Sequence, residues 1–118
     1  MKVLIVDDSK AMRMIVMRTL RQAGIDATTT EAEDGQDGLE KARAERFDLI
    51  LSDWNMPRML GIEFLRALRE ENINTKFGFV TSESNPEMRQ MAVDAGASFL
   101  ISKPFNAESF ELALDGRL

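Results

Sequence analysis

The sequence contains neither cysteine nor histidine. Without cysteine no disulfide framework can form, and with both residue types missing the usual zinc and haem ligands are gone. Serine–histidine triads and histidine-borne phosphate within this chain are excluded too, so nucleophilic or acid–base chemistry falls to Asp, Glu, Lys, Ser or Thr. Positive charge is scarce: 15 basic residues face 20 acidic ones, for a net charge of -5. That balance argues against a nucleic-acid surface. Apolar runs are a few residues long, far short of a membrane span. The opening MKVLIVDD passes from a short apolar run straight into two acids, unlike a secretory signal. The expectation is a cytoplasmic chain with no nucleic-acid partner and no membrane insertion. Linkers, repeats and low-complexity tracts are also missing. Residues 1–118 therefore read as one domain, able to hide roughly two-thirds of the surface its unfolded form exposes.

What is present is alternation. Short apolar runs at 3–6, 27–30, 47–52, 77–80 and 98–101 read as strands, the second of them weak and threonine-rich. Between and after them lie helical patterns. The first, 10–23, follows Ser9 as N-cap, carries an apolar stripe of Met12, Ile15, Val16, Leu20 and Ala23, and stops at Gly24. Others run over 34–44, 62–70, from Asn85-Pro86 to 95, and from a cap at Asn106 to 115. Five βα units with near-continuous apolar strands predict an α/β fold: a five-stranded parallel sheet with helices on both faces. Right-handed crossovers favour the flavodoxin-like (βα)5 strand order 2-1-3-4-5, in which ligands bind beyond the carboxyl ends of the strands.

The residues at those carboxyl ends carry the chemistry. Asp7 and Asp8 follow the first strand, Asp53 the third, Thr81 the fourth and Lys103 the fifth. Carboxylates ~5 Å apart at an effective dielectric of ~20 repel by about 3 kcal/mol, so three of them call for a cation. An all-oxygen site suits Mg2+ or Mn2+. An aspartate can attack phosphorus, and phosphoryl transfer chiefly needs its equatorial oxygens positioned and neutralised. Asp53, between the acidic pair and the Thr/Lys side, is the candidate nucleophile, and Asn55 can offer a backbone carbonyl to the ion. Each residue alone is more often structural. The order DD, D, T, KP, each at its own strand terminus, is hard to obtain by chance.

These residues sit in VLIVDDS, LILSDWNMP, FVTSE and LISKPF, which resemble the CheY-like receiver domain of two-component response regulators along essentially the whole chain. DWNMPRMLG resembles the stand-alone chemotaxis-type members in particular. The resemblance implies a phosphoprotein switch, at most catalysing its own phosphorylation and dephosphorylation. A histidine kinase or histidine phosphotransfer protein would donate to Asp53. Asp8 would ligate Mg2+ directly, Asp7 mainly through water, and Asp53 and the Asn55 carbonyl would complete the set. Lys103 would contact the phosphoryl group and Thr81 would move toward it. The Lys103-Pro104 bond is expected to be cis, and Asn55 and Glu83 occupy places where the family tunes phosphate lifetime. Output would pass to a downstream protein target through the face of the fourth helix, fifth strand and fifth helix, from a monomer or weak dimer.

One position departs from the family pattern. An aromatic switch residue is expected three places before Lys103, where this chain has Leu100; Phe99 precedes it and should point to the other face. On the first helix, Arg13, Met14 and Met17 suggest a surface for docking the phosphodonor. Rival readings are a haloacid-dehalogenase-like phosphohydrolase, a degenerate receiver that binds partners without phosphorylation, and a flavin binder. The first fails on its DxD pattern, since Ser9 and Lys10 stand where the second acid belongs.

Overall fold

The computed structural model describes residues 1–115. Its elements alternate as expected: β1 Lys2–Val6, α1 Lys10–Gln22, β2 Thr28–Ala32, α2 Gly35–Ala44, β3 Leu49–Ser52, α3 Gly61–Glu70, β4 Lys76–Thr81, α4 Pro86–Ala95, β5 Phe99–Ser102 and α5 Ala107–Leu114. All four strand pairings are parallel, in the order β2-β1-β3-β4-β5. The fold class and strand order read from the sequence are therefore those of the structure.

Strand alternation divides the core in two. Leu4, Val6, Ile50, Phe77, Phe79 and Leu100 point to the side covered by α2, α3 and α4, where Phe64 meets Phe77 edge-on. Val3, Ile5, Leu49, Leu51, Val80, Phe99 and Ile101 point to the side covered by α1 and α5. Both faces being apolar is what a parallel sheet flanked by helices requires.

The element ends have local causes. Ser9, Asp34, Asn85 and Asn106 are the N-caps of α1, α2, α4 and α5, each accepting a backbone N–H from the first turn. Gly24 and Gly96 take positive φ after α1 and α4. β2 runs on to Ala32, past the threonine-rich stretch, because its pairing with β1 continues to Val6↔Ala32. β3 begins at Leu49 rather than Phe47. Asp48 ties the chain to Lys2 instead, its carboxylate accepting the Lys2 N–H (2.7 Å) and its own N–H reaching the Lys2 carbonyl (2.8 Å).

The stripe on α1 needs correction. Its buried residues are Val16, Thr19 and Leu20. Ile15, assigned to the core by spacing, is 42% exposed. Met17, assigned to the surface, is half-buried, its sulfur accepting the Thr29 hydroxyl at 3.1 Å. The two residues flank the same narrow stripe, and Met17 is the one that meets the edge strand β2.

Candidate functional site

The switch in strand order between β1 and β3 opens a crevice at the carboxyl ends, and the sequence-predicted residues meet there. The Asp53 N–H donates to the Val6 carbonyl (2.9 Å), continuing the β1–β3 pairing one step past the strands. Asp7, Asp8 and Asp53 each present a carboxylate oxygen, and these oxygens all lie within 4.8 Å of one another. Asp7 is buried, Asp53 half-buried and Asp8 exposed at the mouth.

Lys103 bridges two of the acids. Its ammonium donates to Asp7 Oδ2 at 3.2 Å and to Asp53 Oδ2 at 3.3 Å. It arrives there because the Lys103 N–H bonds the Thr81 carbonyl (2.8 Å) at the end of β5. The Lys103-Pro104 peptide is cis, as expected. Each acid also uses its other oxygen: Asp7 Oδ1 accepts the Ser9 N–H (2.9 Å) and Asp53 Oδ1 the Trp54 N–H (2.7 Å). Thr81 is fully buried as the last residue of β4, its hydroxyl accepting the Glu83 N–H (3.3 Å). Asn55 is exposed, with its side-chain amide donating to Glu83 (3.3 Å). Trp54 is buried beside Asp53, its ring 4.8 Å from that of Phe79.

Burial raises the Asp7 carboxyl above its ordinary value of 3.8; the Ser9 N–H and Lys103 oppose the rise, and the Asp53 charge adds to it. A folded-state value above the unfolded one gives stabilisation that is complete below 3.8 and is lost as pH rises through the folded value. Once ionised, Asp7 is therefore a burden on the metal-free fold. Asp7→Asn is expected to raise the metal-free thermal midpoint, because it removes the charge that burial disfavours while keeping an oxygen for the Ser9 N–H. It should also flatten the gain in stability that this group brings as pH falls. Calorimetry in the presence of a chelator checks both, and a lower midpoint would refute the argument.

Three carboxylates and one ammonium leave two negative charges unbalanced, and every donor at the mouth is oxygen. That donor set fits a hard divalent cation.

The remaining sequence candidates are distributed differently. Arg13 is turned inward: its guanidinium donates to the Asp7 carbonyl (2.7 Å) and to Glu31 (2.9 Å), bracing the turn after β1. Met14 is 47% exposed on α1. Leu100 is buried on the α3/α4 side of β5. Phe99 is buried on the opposite side, over Gly78, its register partner, where only a residue without Cβ leaves room for the ring.

The sequence reading missed two features beside the crevice. Gly61 lies so close to the Asp53 carbonyl and the Trp54 backbone that no Cβ fits. Asp34, 2% exposed, holds Arg58 from the loop after β3. Gly61 is visible in the sequence only as a loop marker, and nothing in the local pattern signals the Arg58 pair.

An α/β switch-point crevice that gathers three aspartates, a threonine and a lysine from separate strand ends defines a class of phosphoacceptor signalling module. Residues 3–115 match the response regulator receiver domain family. Chemotaxis protein CheY-3 of Vibrio cholerae is 40% identical over 117 residues, 98% of this chain and 89% of that protein. Chemotaxis protein CheY of Pseudomonas aeruginosa is 40% identical over 110 residues, 92% and 88% of the two chains. Among solved structures, Vibrio cholerae chemotaxis protein CheY4 superposes with a TM-score of 0.84 at 42% identity, covering 99% of this chain and 98% of that one. The receiver domain of the NarL response regulator of Mycobacterium tuberculosis gives a TM-score of 0.86 at 28% identity, covering 97% and 93%. The chain belongs to the response regulator receiver domain family. It is thus a signalling module of two-component systems controlled by phosphorylation, not an enzyme in the usual sense, and the phosphohydrolase alternative falls away. Membership implies a histidine kinase or phosphotransfer partner and a downstream target; receiver domains bind Mg2+ at an acidic pocket, and this chain has a matching aspartate cluster. No helix among the described residues is long and apolar enough to cross a membrane.

Proposed function

We propose that residues 1–118 work as one cytoplasmic receiver domain that accepts a phosphoryl group on Asp53 from a phosphohistidine of another protein. The donor imidazole lies outside residues 1–118, which contain no histidine. The observation that carries this reading is the Lys103 ammonium lying between Asp7 Oδ2 and Asp53 Oδ2 within the three-acid cluster. Asp53 Oδ2 attacks phosphorus, the phosphorus–nitrogen bond of the phosphohistidine breaks, and the released imidazole takes a proton. Lys103 then exchanges its Asp53 carboxylate partner for a phosphoryl oxygen. The buried Thr81 hydroxyl is the donor available for a second oxygen once it leaves the Glu83 N–H. Asp8, Asp53, the Asn55 carbonyl and, through water, Asp7 would hold Mg2+. Bound there, the ion supplies charge neutralisation to the transferring oxygens. A degenerate, phosphorylation-independent receiver has no use for such a set.

Output passes through the face formed by α4, β5 and α5, whose shallow groove is lined by Arg89, Leu100, Ser102, Asn106 and Leu112. Movement of Thr81 biases a pre-existing equilibrium of that face. Leu100 takes the place of the aromatic half of the switch, so Thr81 and the 81–86 loop carry more of the change. The named chemotaxis relatives make a role in chemotaxis the favoured pathway, with the chain acting as monomer or weak dimer.

Trp54 reports on the reaction. Its emission should change on adding millimolar Mg2+ and again on adding acetyl phosphate, and a silent parent protein would overturn the reading. Docking of the donor is placed on α1, where exposed Met14 and Ile15 lie beside exposed Arg18, with Arg13 and Met17 supporting the surface from its buried side. Met14→Lys combined with Ile15→Lys should slow transfer from a phosphotransfer protein at least tenfold while leaving acetyl phosphate labelling unchanged. An unaltered transfer rate would remove α1 from the docking site.

A further inference from the structure

The loop after β3 carries both Asp53 and the Asn55 carbonyl, so whatever fixes this loop fixes part of the cation pocket. Its start is tied by the Asp53 and Trp54 backbone bonds and by the buried Trp54 ring, and its end by the Gly61 N–H on the Trp54 carbonyl (2.7 Å). Between them the chain passes through Arg58, a non-glycine residue at φ 68°. A side chain in this left-handed region is held there by its surroundings rather than by preference. The holding contacts are visible. Arg58 Nε and Nη2 both reach Asp34 Oδ2, at 2.7 and 2.6 Å, and Nη2 also reaches Glu33 Oε1 at 3.3 Å. Asp34 cannot yield easily: it is buried, and its other oxygen caps α2 through the Asp37 N–H (2.8 Å). Next to this pair, Met59 packs on Gly35 so closely that a Cβ there would press on it.

We propose that Arg58 is a positioning residue for the divalent-cation site, holding the Asn55 carbonyl at the pocket by anchoring the loop to the start of α2. This rests on the acidic-pocket reading above. Asn55 is then held from both sides, by its own amide on Glu83 and, three residues on, by Arg58 on Asp34.

The sign of the effect separates positioning from simple charge. Removing a cation near an acidic pocket should strengthen Mg2+ binding by Coulomb attraction alone. Loss of the anchor should weaken it. MgCl2 titrations at constant ionic strength, followed by Trp54 emission, are therefore expected to give a Kd at least threefold higher for Arg58→Ala than for the parent. Arg58→Lys, which keeps the charge but loses the fork, should also bind more weakly. Asp34→Asn keeps the helix cap while removing the acceptor, and Arg58→Ala with Asp34→Asn should be no weaker than the poorer single variant. An Arg58→Ala Kd equal to or below the parent's overturns the proposal while leaving the acidic pocket standing. A parent protein that binds no Mg2+ overturns the pocket and the proposal together.

Discussion

Asp53→Asn should abolish labelling by acetyl phosphate and by any phosphohistidine donor, seen as loss of the phosphoryl mass adduct and of the second Trp54 emission change. Carboxamide oxygen is a poor nucleophile and cannot form the acyl phosphate, so a reduction to background is expected rather than a partial slowing. The fold should survive. Asn retains an oxygen for the Trp54 N–H that Asp53 Oδ1 now accepts, and removing one of three crowded charges relieves repulsion of about 3 kcal/mol per pair before Lys103 is counted. A folded Asp53→Asn protein that still labels would move the phosphoacceptor elsewhere, with Asp8 the next acid to test because it is the exposed member of the cluster.

The second large effect is structural. Gly61→Ala places a methyl group against the Asp53 carbonyl, the Trp54 Cα and the Phe79 ring. Two of those three neighbours are backbone, so no rotamer change can relieve the clash, and the loop or the end of β3 must shift. Overpacking of this kind costs ~3 kcal/mol, equivalent to a fall of roughly 12 °C in thermal midpoint at this size. Because the displaced backbone belongs to the proposed phosphoacceptor, labelling should slow more than tenfold even at temperatures where the variant is folded. Thermal melts paired with labelling rates check both halves. A variant with a parental melt and parental labelling would mean that the loop end is compliant.

Much of this was legible in the sequence because of where it lies. Residues that end strands have their positions fixed by topology, so once the order 2-1-3-4-5 is inferred, Asp7, Asp8, Asp53, Thr81 and Lys103 have nowhere else to converge. Period-two alternation likewise sent Phe99 and Leu100 to opposite faces. What escaped depends on partners distant in the chain. The inward turn of Arg13 is decided by Glu31 on the edge strand, and the seating of Met17 by Thr29 beside it. Spacing within α1 cannot see either one, so Ile15 and Met17 exchanged roles. The Arg58 anchor is further from sequence reach, since it joins two loops and places a long side chain at a backbone angle that usually signals glycine.

The seat of Phe99 on Gly78 binds the fates of two positions that are neighbours across β4 and β5. Neither can be enlarged or trimmed alone without leaving a clash or a void, whereas a smaller residue at 99 creates the space that alanine at 78 would fill. Descendants of this sequence, natural or designed, would be expected to exchange these two residues in concert.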